Sequence, residues 1–300
     1  MRLRPAIREA GLALLTINRT RQTPSRQVVS QEVPTQEVPA RERRGQGAAL
    51  PVGLAEKHAD DPVAGVPLRI AALIAEKARA GRPLLVSDEN LIGTSQELIR
   101  KRALYPTLER RLRILRDALP DAPIRIALAV RSYDSFFESA YCEQLRHRSG
   151  PSFDAIAPDL FAQTRGWREI VGEISAIFGR TALRLWRFED YRDGADRVLE
   201  ALLGPRVRIE APTVSEERPR ISDEAVREIE RLPHDLPLEE RRARCREIIA
   251  RLPRPEHPAF DGWSKERRAA LRARYDQDVA ALVQERPDAW LIPPPPQTRS

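Results

Sequence analysis

Ile124, Ile126, Leu128 and Val130, with alanines at 127 and 129, form a nearly unbroken apolar run that stops at Arg131. Such a run predicts a parallel strand covered on both faces. Tyr133 and Asp134 then lead into a helical pattern in which Phe136, Phe137, Ala140 and Tyr141 are available to pack. Ser135, Ser139, Cys142 and Arg146 share another face of that helix. Leu68, Ala71, Leu73, Ile74 and Ala78 predict a helix feeding a strand at Leu84. Leu98, Ile99, Leu104, Leu108, Leu112, Leu115 and Leu119 predict one or two amphipathic helices returning to Ile124, and Trp167, Ile170, Val171, Ile174, Ile177 and Phe178 another before Leu183. Repeated alternation of strand and helix implies an α/β fold built on a three-layer parallel sheet with right-handed crossovers.

Breaks in this rhythm divide the chain. Residues 1–17 read as a helix end, a Gly stop and a short strand, Leu12 to Thr16. Residues 18–62 carry the direct repeat QEVPTQEVP and prolines at 24, 34, 39 and 51 without helical or strand period, which suits a solvated linker or disordered insertion. Residues 63–205 are the α/β core and 206–291 a helical region with N-caps at Ser222 and Ser264 and charge-rich, solvated faces. Residues 292–300 form a Pro-rich tail of extended character.

Composition adds mild limits. Arginine and lysine number 51 against 44 acidic residues, a net charge of +7, and only Lys57, Lys77, Lys101 and Lys265 are lysines. The arginines are spread along the whole length, which fits a coding bias better than a dedicated polyanion surface, so nucleic acid is not expected as a partner. Cys142 and Cys245 are too few for a disulfide framework, and a reducing cytoplasm is the default. His58, His147, His234 and His257 show no metal-ligand spacing, so no metal is expected. No apolar run approaches the roughly 20 residues needed to span a bilayer.

Arg131 ends a buried strand, where open α/β folds place their ligands, and Ser139 follows eight residues later, about two helical turns on. A phosphate between them could accept the forked guanidinium donors and the serine hydroxyl; capping and solvation of an ordinary strand-to-helix junction is the plainer alternative. RSYDSFFESAY resembles the 3'-phosphate-binding segment of sulfotransferases that use 3'-phosphoadenosine 5'-phosphosulfate (PAPS). LLVSDENLIGT, from Leu84, is similar to a strand edge of bacterial sulfotransferase-like proteins where a carboxylate meets the acceptor hydroxyl. ALRLWRFEDYRDGADRVLEALLG, from Ala182, and the pair Tyr275 and Asp278 also resemble that family.

The resemblance implies a P-loop NTPase-like fold, PAPS as co-substrate held at its 3'-phosphate by Arg131 and Ser139, and transfer of its sulfuryl group to a hydroxyl or amine. The acceptor is unidentified; basic charge mildly favours a saccharide. Glu89 is the first choice of base and Asp88 the second, their other reading being a cap and first-turn acid for the segment opening at Asn90. Glu189 and Asp190 are expected to buttress the strand end. The family's loop for the 5'-phosphosulfate has no counterpart in this sequence: neither GxxxxGK[ST] nor a Lys-, Gly- and Thr-rich turn follows a first strand. A late start, a degenerate fragment and a domain without the loop are the competing explanations, and stability arguments favour the first two, since the missing strand would be central. On that reading the chain by itself binds adenosine 3',5'-bisphosphate weakly and catalyses nothing. A catalytically inactive binding or interaction module on the same scaffold is the alternative.

Overall fold

A computed structural model describes residues 13–16, 57–58, 60–78, 84–147, 149–203, 220–254 and 256–294. The chain is mixed α/β and mostly helical. In order, its described elements are β1 (Ala13–Thr16), α1 (Gly65–Ala78), β2 (Leu84–Ser87), α2 (Ser95–Lys101), α3 (Leu108–Ala118), β3 (Ile126–Val130) and α4 (Tyr133–His147). There follow α5 (Phe153–Ala162), α6 (Trp167–Phe178), β4 (Leu183–Arg187), α7 (Tyr191–Leu203), α8 (Asp223–Glu230), α9 (Leu238–Arg251) and α10 (Lys265–Glu285).

Helix starts follow local chemistry. Thr94 caps α2 in a reciprocal box: its hydroxyl accepts the Glu97 amide at 3.1 Å while the Glu97 carboxylate accepts the Thr94 amide at 3.0 Å. Ser222 and Ser264 cap α8 and α10 by accepting the Ala225 and Arg267 amides, as the sequence predicts. Gly179 ends α6 with φ at 88°, a conformation glycine adopts at little cost.

Among the described residues the strands form two parallel pairs. β1 runs beside β2 with Ala13 opposite Leu84, and β3 beside β4 with Ile126 opposite Leu183. The far edge of β4 is taken by the chain's end, where the Leu291 amide donates to the Leu185 carbonyl at 2.8 Å. The expected strands are thus present and parallel, but one continuous three-layer sheet is not formed by the described residues.

β3 also departs from the expectation of two covered faces. Ile126, Leu128 and Val130 are buried, whereas Ala127 is exposed and Ala129 half-buried. Alanine is apolar yet small enough to sit on either kind of face, so the alanines in the run carried no information about facing. Helices supply most of the core: α1 packs on α3, α3 on α6, α2 on α4, and α10 against both α4 and α6. Trp167, Tyr133, Phe137 and Phe153 are its largest fully buried side chains. The expectation of an unstructured insertion falls almost wholly on residues outside those described. So does most of the Pro-rich tail.

Candidate anion site at the end of β3

The end of β3 and the exposed face of α4 open into a cavity of about 180 Å³ lined by Arg131, Ser135, Glu138, Ser139, Cys142 and Arg146, with Arg220 and Phe260 across from them. Arg131 and Ser139, paired from the sequence alone, therefore line one space, and the predicted face Ser135, Ser139, Cys142 and Arg146 is its floor. The Arg131 Nε donates to the Ser135 hydroxyl at 3.0 Å, and its guanidinium carbon lies 4.6 Å from the centre of the Phe188 ring. Stacking and the Nε bond orient the fork. Its two terminal nitrogens make no hydrogen bond to a described residue, so the fork's end is available to a ligand.

Arg131 is held from behind through its backbone. The Trp167 indole Nε1 donates to the Arg131 carbonyl at 2.8 Å, and the Ser132 amide donates to Glu189 Oε1 at 2.9 Å. The second Glu189 oxygen accepts the Tyr275 hydroxyl at 2.8 Å, which ties α10 to the same junction. Asp278, one turn further along α10, accepts the Trp167 amide at 2.8 Å and also the Tyr133 hydroxyl. Tyr275 and Asp278 thus brace the β3–α4 turn from the far end of the chain. Asp190 pairs instead with Arg187 of its own strand end.

A second layer of charge lies under the cavity. Asp134 and Glu138 are buried on α4. Arg268 of α10 donates to Asp134 at 2.9 Å and to Glu138 at 2.7 Å, and Arg272 donates to Asp134 at 2.9 Å. The Gly262 amide adds a bond of 2.9 Å to Glu138. The charged face of α10 is therefore partly spent on buried partners, not simply solvated. Burial would push the Asp134 carboxyl up, but hydrogen bonds from the Ser132 hydroxyl, the Ser135 amide and Arg272 hold it below its ordinary value. Glu138 goes the other way, since burial outweighs Arg268.

Burial, and then the like charge of Arg220, lower the proton affinity of Arg131. Burial pushes the Cys142 thiol up to about 12, so at neutral pH it is a protonated cavity wall and no nucleophile.

The two carboxylates after β2 have different surroundings. Asp88 Oδ1 accepts the Asn90 amide at 2.8 Å, Oδ2 lies 3.6 Å from Arg69, and the side chain is almost fully buried. It shapes the turn without capping a helix, for Thr94 is the cap. Glu89 is exposed. Buried Arg111 fixes this loop by donating to the Asn90 carbonyl at 3.2 Å and to Glu97 at 2.9 Å. Tyr105 packs its ring against Phe136 and Trp167, and burial raises its phenol well above the ordinary value. The Arg131 charge opposes that rise and the Glu89 charge adds to it.

Arg220, Phe260, Tyr105 and the Arg268 network were not found by sequence reasoning. Arg268 had a readable signal: with Arg272 it prolongs the buried stripe of Leu271, Tyr275, Val279 and Leu282 at helical spacing. Among the described residues no group of His, Cys, Asp and Glu is arranged to hold a metal, and no helix is long and apolar enough to cross a membrane. Comparison with protein-family models, curated proteins and solved structures found no match to this chain.

Proposed function

We propose that this chain is a sulfotransferase-like protein whose cavity at the end of β3 receives the 3'-phosphate of PAPS or of adenosine 3',5'-bisphosphate. The observation that carries the reading is the placement of Arg131 and Ser139 on one cavity, with the guanidinium fork unspent. Half-exposed Phe188, stacked on Arg131, adds an aromatic face beside the anion position. In the fuller form of this proposal, β1–β2 and β3–β4 are the two halves of a three-layer parallel sheet of P-loop NTPase type, bridged by one further strand.

In sulfuryl transfer an acceptor oxygen or nitrogen forms a bond to sulfur as the bond from sulfur to the 5'-phosphate oxygen breaks, and the acceptor proton passes to a base. Glu89 is the base in this scheme, because it is exposed at the end of β2 while Asp88 is occupied by Asn90 and Arg69. Arg131 and Ser139 orient the donor by its 3'-phosphate, a contribution of positioning. The cation on the transferring group is assigned to no described residue. That, together with the structural use of Asp88, favours as second reading a non-catalytic module that keeps the nucleotide cavity.

Calorimetric titration tests the reading. Adenosine 3',5'-bisphosphate should bind more tightly than ADP, and Arg131→Ala should remove the preference. A folded sample that binds neither nucleotide overturns it.

A further inference from the structure

The wall of the cavity opposite α4 is built as firmly as the floor. Ile221 is buried, and its carbonyl accepts the Phe260 amide at 3.0 Å. The Ser222 hydroxyl donates to the Leu252 carbonyl at 2.8 Å, and the Asp223 amide to the Pro258 carbonyl at 3.0 Å. Arg220 is therefore anchored immediately before a fixed segment while its own side chain is exposed at the cavity. Among the described residues it takes part in no hydrogen bond or ion pair.

The carboxylates of the lining are committed elsewhere. Glu138 accepts from Arg268 and the Gly262 amide, and Glu143 pairs with Arg146 at 3.3 Å and His147 at 3.2 Å. Two guanidinium groups, Arg131 and Arg220, thus line one small space whose carboxylates already have other partners. Like charges held together are unfavourable, and a doubly charged anion between them relieves the repulsion.

Resting on the phosphate reading of this cavity, we infer that Arg220 closes on the same anion as Arg131 and Ser139 from the opposite wall, and that the site selects a phosphoryl group with two negative charges over a singly charged sulfate ester. Two guanidinium forks and one hydroxyl match the acceptor oxygens of a phosphate monoester. The anion then joins α4 to the segment entering α8.

Cys142 on the cavity floor reports occupancy. The full chain would be alkylated at pH 8.5 with increasing adenosine 3',5'-bisphosphate, methyl phosphate or methyl sulfate, and Cys142 modification followed by peptide mass spectrometry. The nucleotide and methyl phosphate should protect Cys142, and methyl sulfate should need at least tenfold more. Arg220→Gln should raise the protecting concentration of either phosphate at least tenfold, and Arg220→Lys should restore part of it. Because Arg220 is exposed and without described partners, neither variant should alter thermal unfolding. Protection by methyl phosphate but not by the nucleotide, with the Arg220→Gln shift intact, would sink the nucleotide reading and leave this inference standing. Arg220→Gln matching wild type, methyl sulfate protecting equally, or no protection by any ligand would overturn it.

Discussion

Removing the Asp278 carboxylate should cost the protein a large part of its stability. Asp278 accepts the Trp167 amide at 2.8 Å and the hydroxyl of Tyr133, a fully buried residue. In Asp278→Ala the Trp167 amide keeps the Tyr133 oxygen, 2.7 Å away, as an acceptor. The Tyr133 hydroxyl loses the only acceptor it has among the described residues. An orphaned buried donor costs about 1–3 kcal/mol, and a lost bond to a charged group contributes on a similar scale. The expected total is about 2–4 kcal/mol, a fall of roughly one and a half to three decades in the folded-to-unfolded ratio. Asp278→Asn keeps an acceptor oxygen without charge and should cost about 1 kcal/mol. Urea denaturation followed by circular dichroism reads both, with the loss appearing in the midpoint at constant slope. Trp167 also holds the Arg131 carbonyl, so ligand affinity should fall several-fold in Asp278→Ala. A stability change under about 0.5 kcal/mol, the level of ordinary surface substitutions, would refute the bracing role.

The remaining expectations concern the cavity and its supports. Gly262→Ala should destabilise by about 1–3 kcal/mol, because the added Cβ would lie 2.4 Å from the Phe153 ring; an unchanged melting temperature would count against that packing. Asp134→Asn should lower stability at pH 7 by about 2 kcal/mol through weakened bonds to Arg268 and Arg272. The folded-state Asp134 pKa is lowered, so its stabilisation is present above the unfolded value of about 4 and is lost as pH falls through the folded one. The gap between wild type and variant in thermal melts should therefore close below about pH 4, and a gap independent of pH would contradict the assignment. Cys142, with its thiol pushed up to about 12, should alkylate far more slowly at pH 7.5 than a free cysteine and accelerate steadily towards high pH. Rapid labelling at neutral pH would show that the thiol is not buried as described.

Much of the floor of the site was legible because it depends on local spacing. Arg131 ends an apolar run, and Ser135, Ser139, Cys142 and Arg146 fall on one helical face whatever surrounds them. The Tyr275 and Asp278 pair is visible in the sequence, but its bracing role is not. The partners Glu189, Tyr133 and Trp167 are distant in sequence, and only tertiary packing brings them together. The opposite wall, Arg220 and Phe260, was missed for the same reason. The facing of β3 was misjudged because Ala127 and Ala129 suit either side of a sheet. The capping box of Thr94 and Glu97 is readable from TSQE, and it removes the alternative reading of Asp88 and Glu89 as a cap and first-turn acid.

The most direct test is a phosphorus NMR titration of adenosine 3',5'-bisphosphate with the full chain, since the two phosphates give separate resonances. The account predicts selective shift and broadening of the 3'-phosphorus, abolished by Arg131→Ala. A perturbation confined to the 5'-phosphorus, or one that survives Arg131→Ala unchanged, would contradict it.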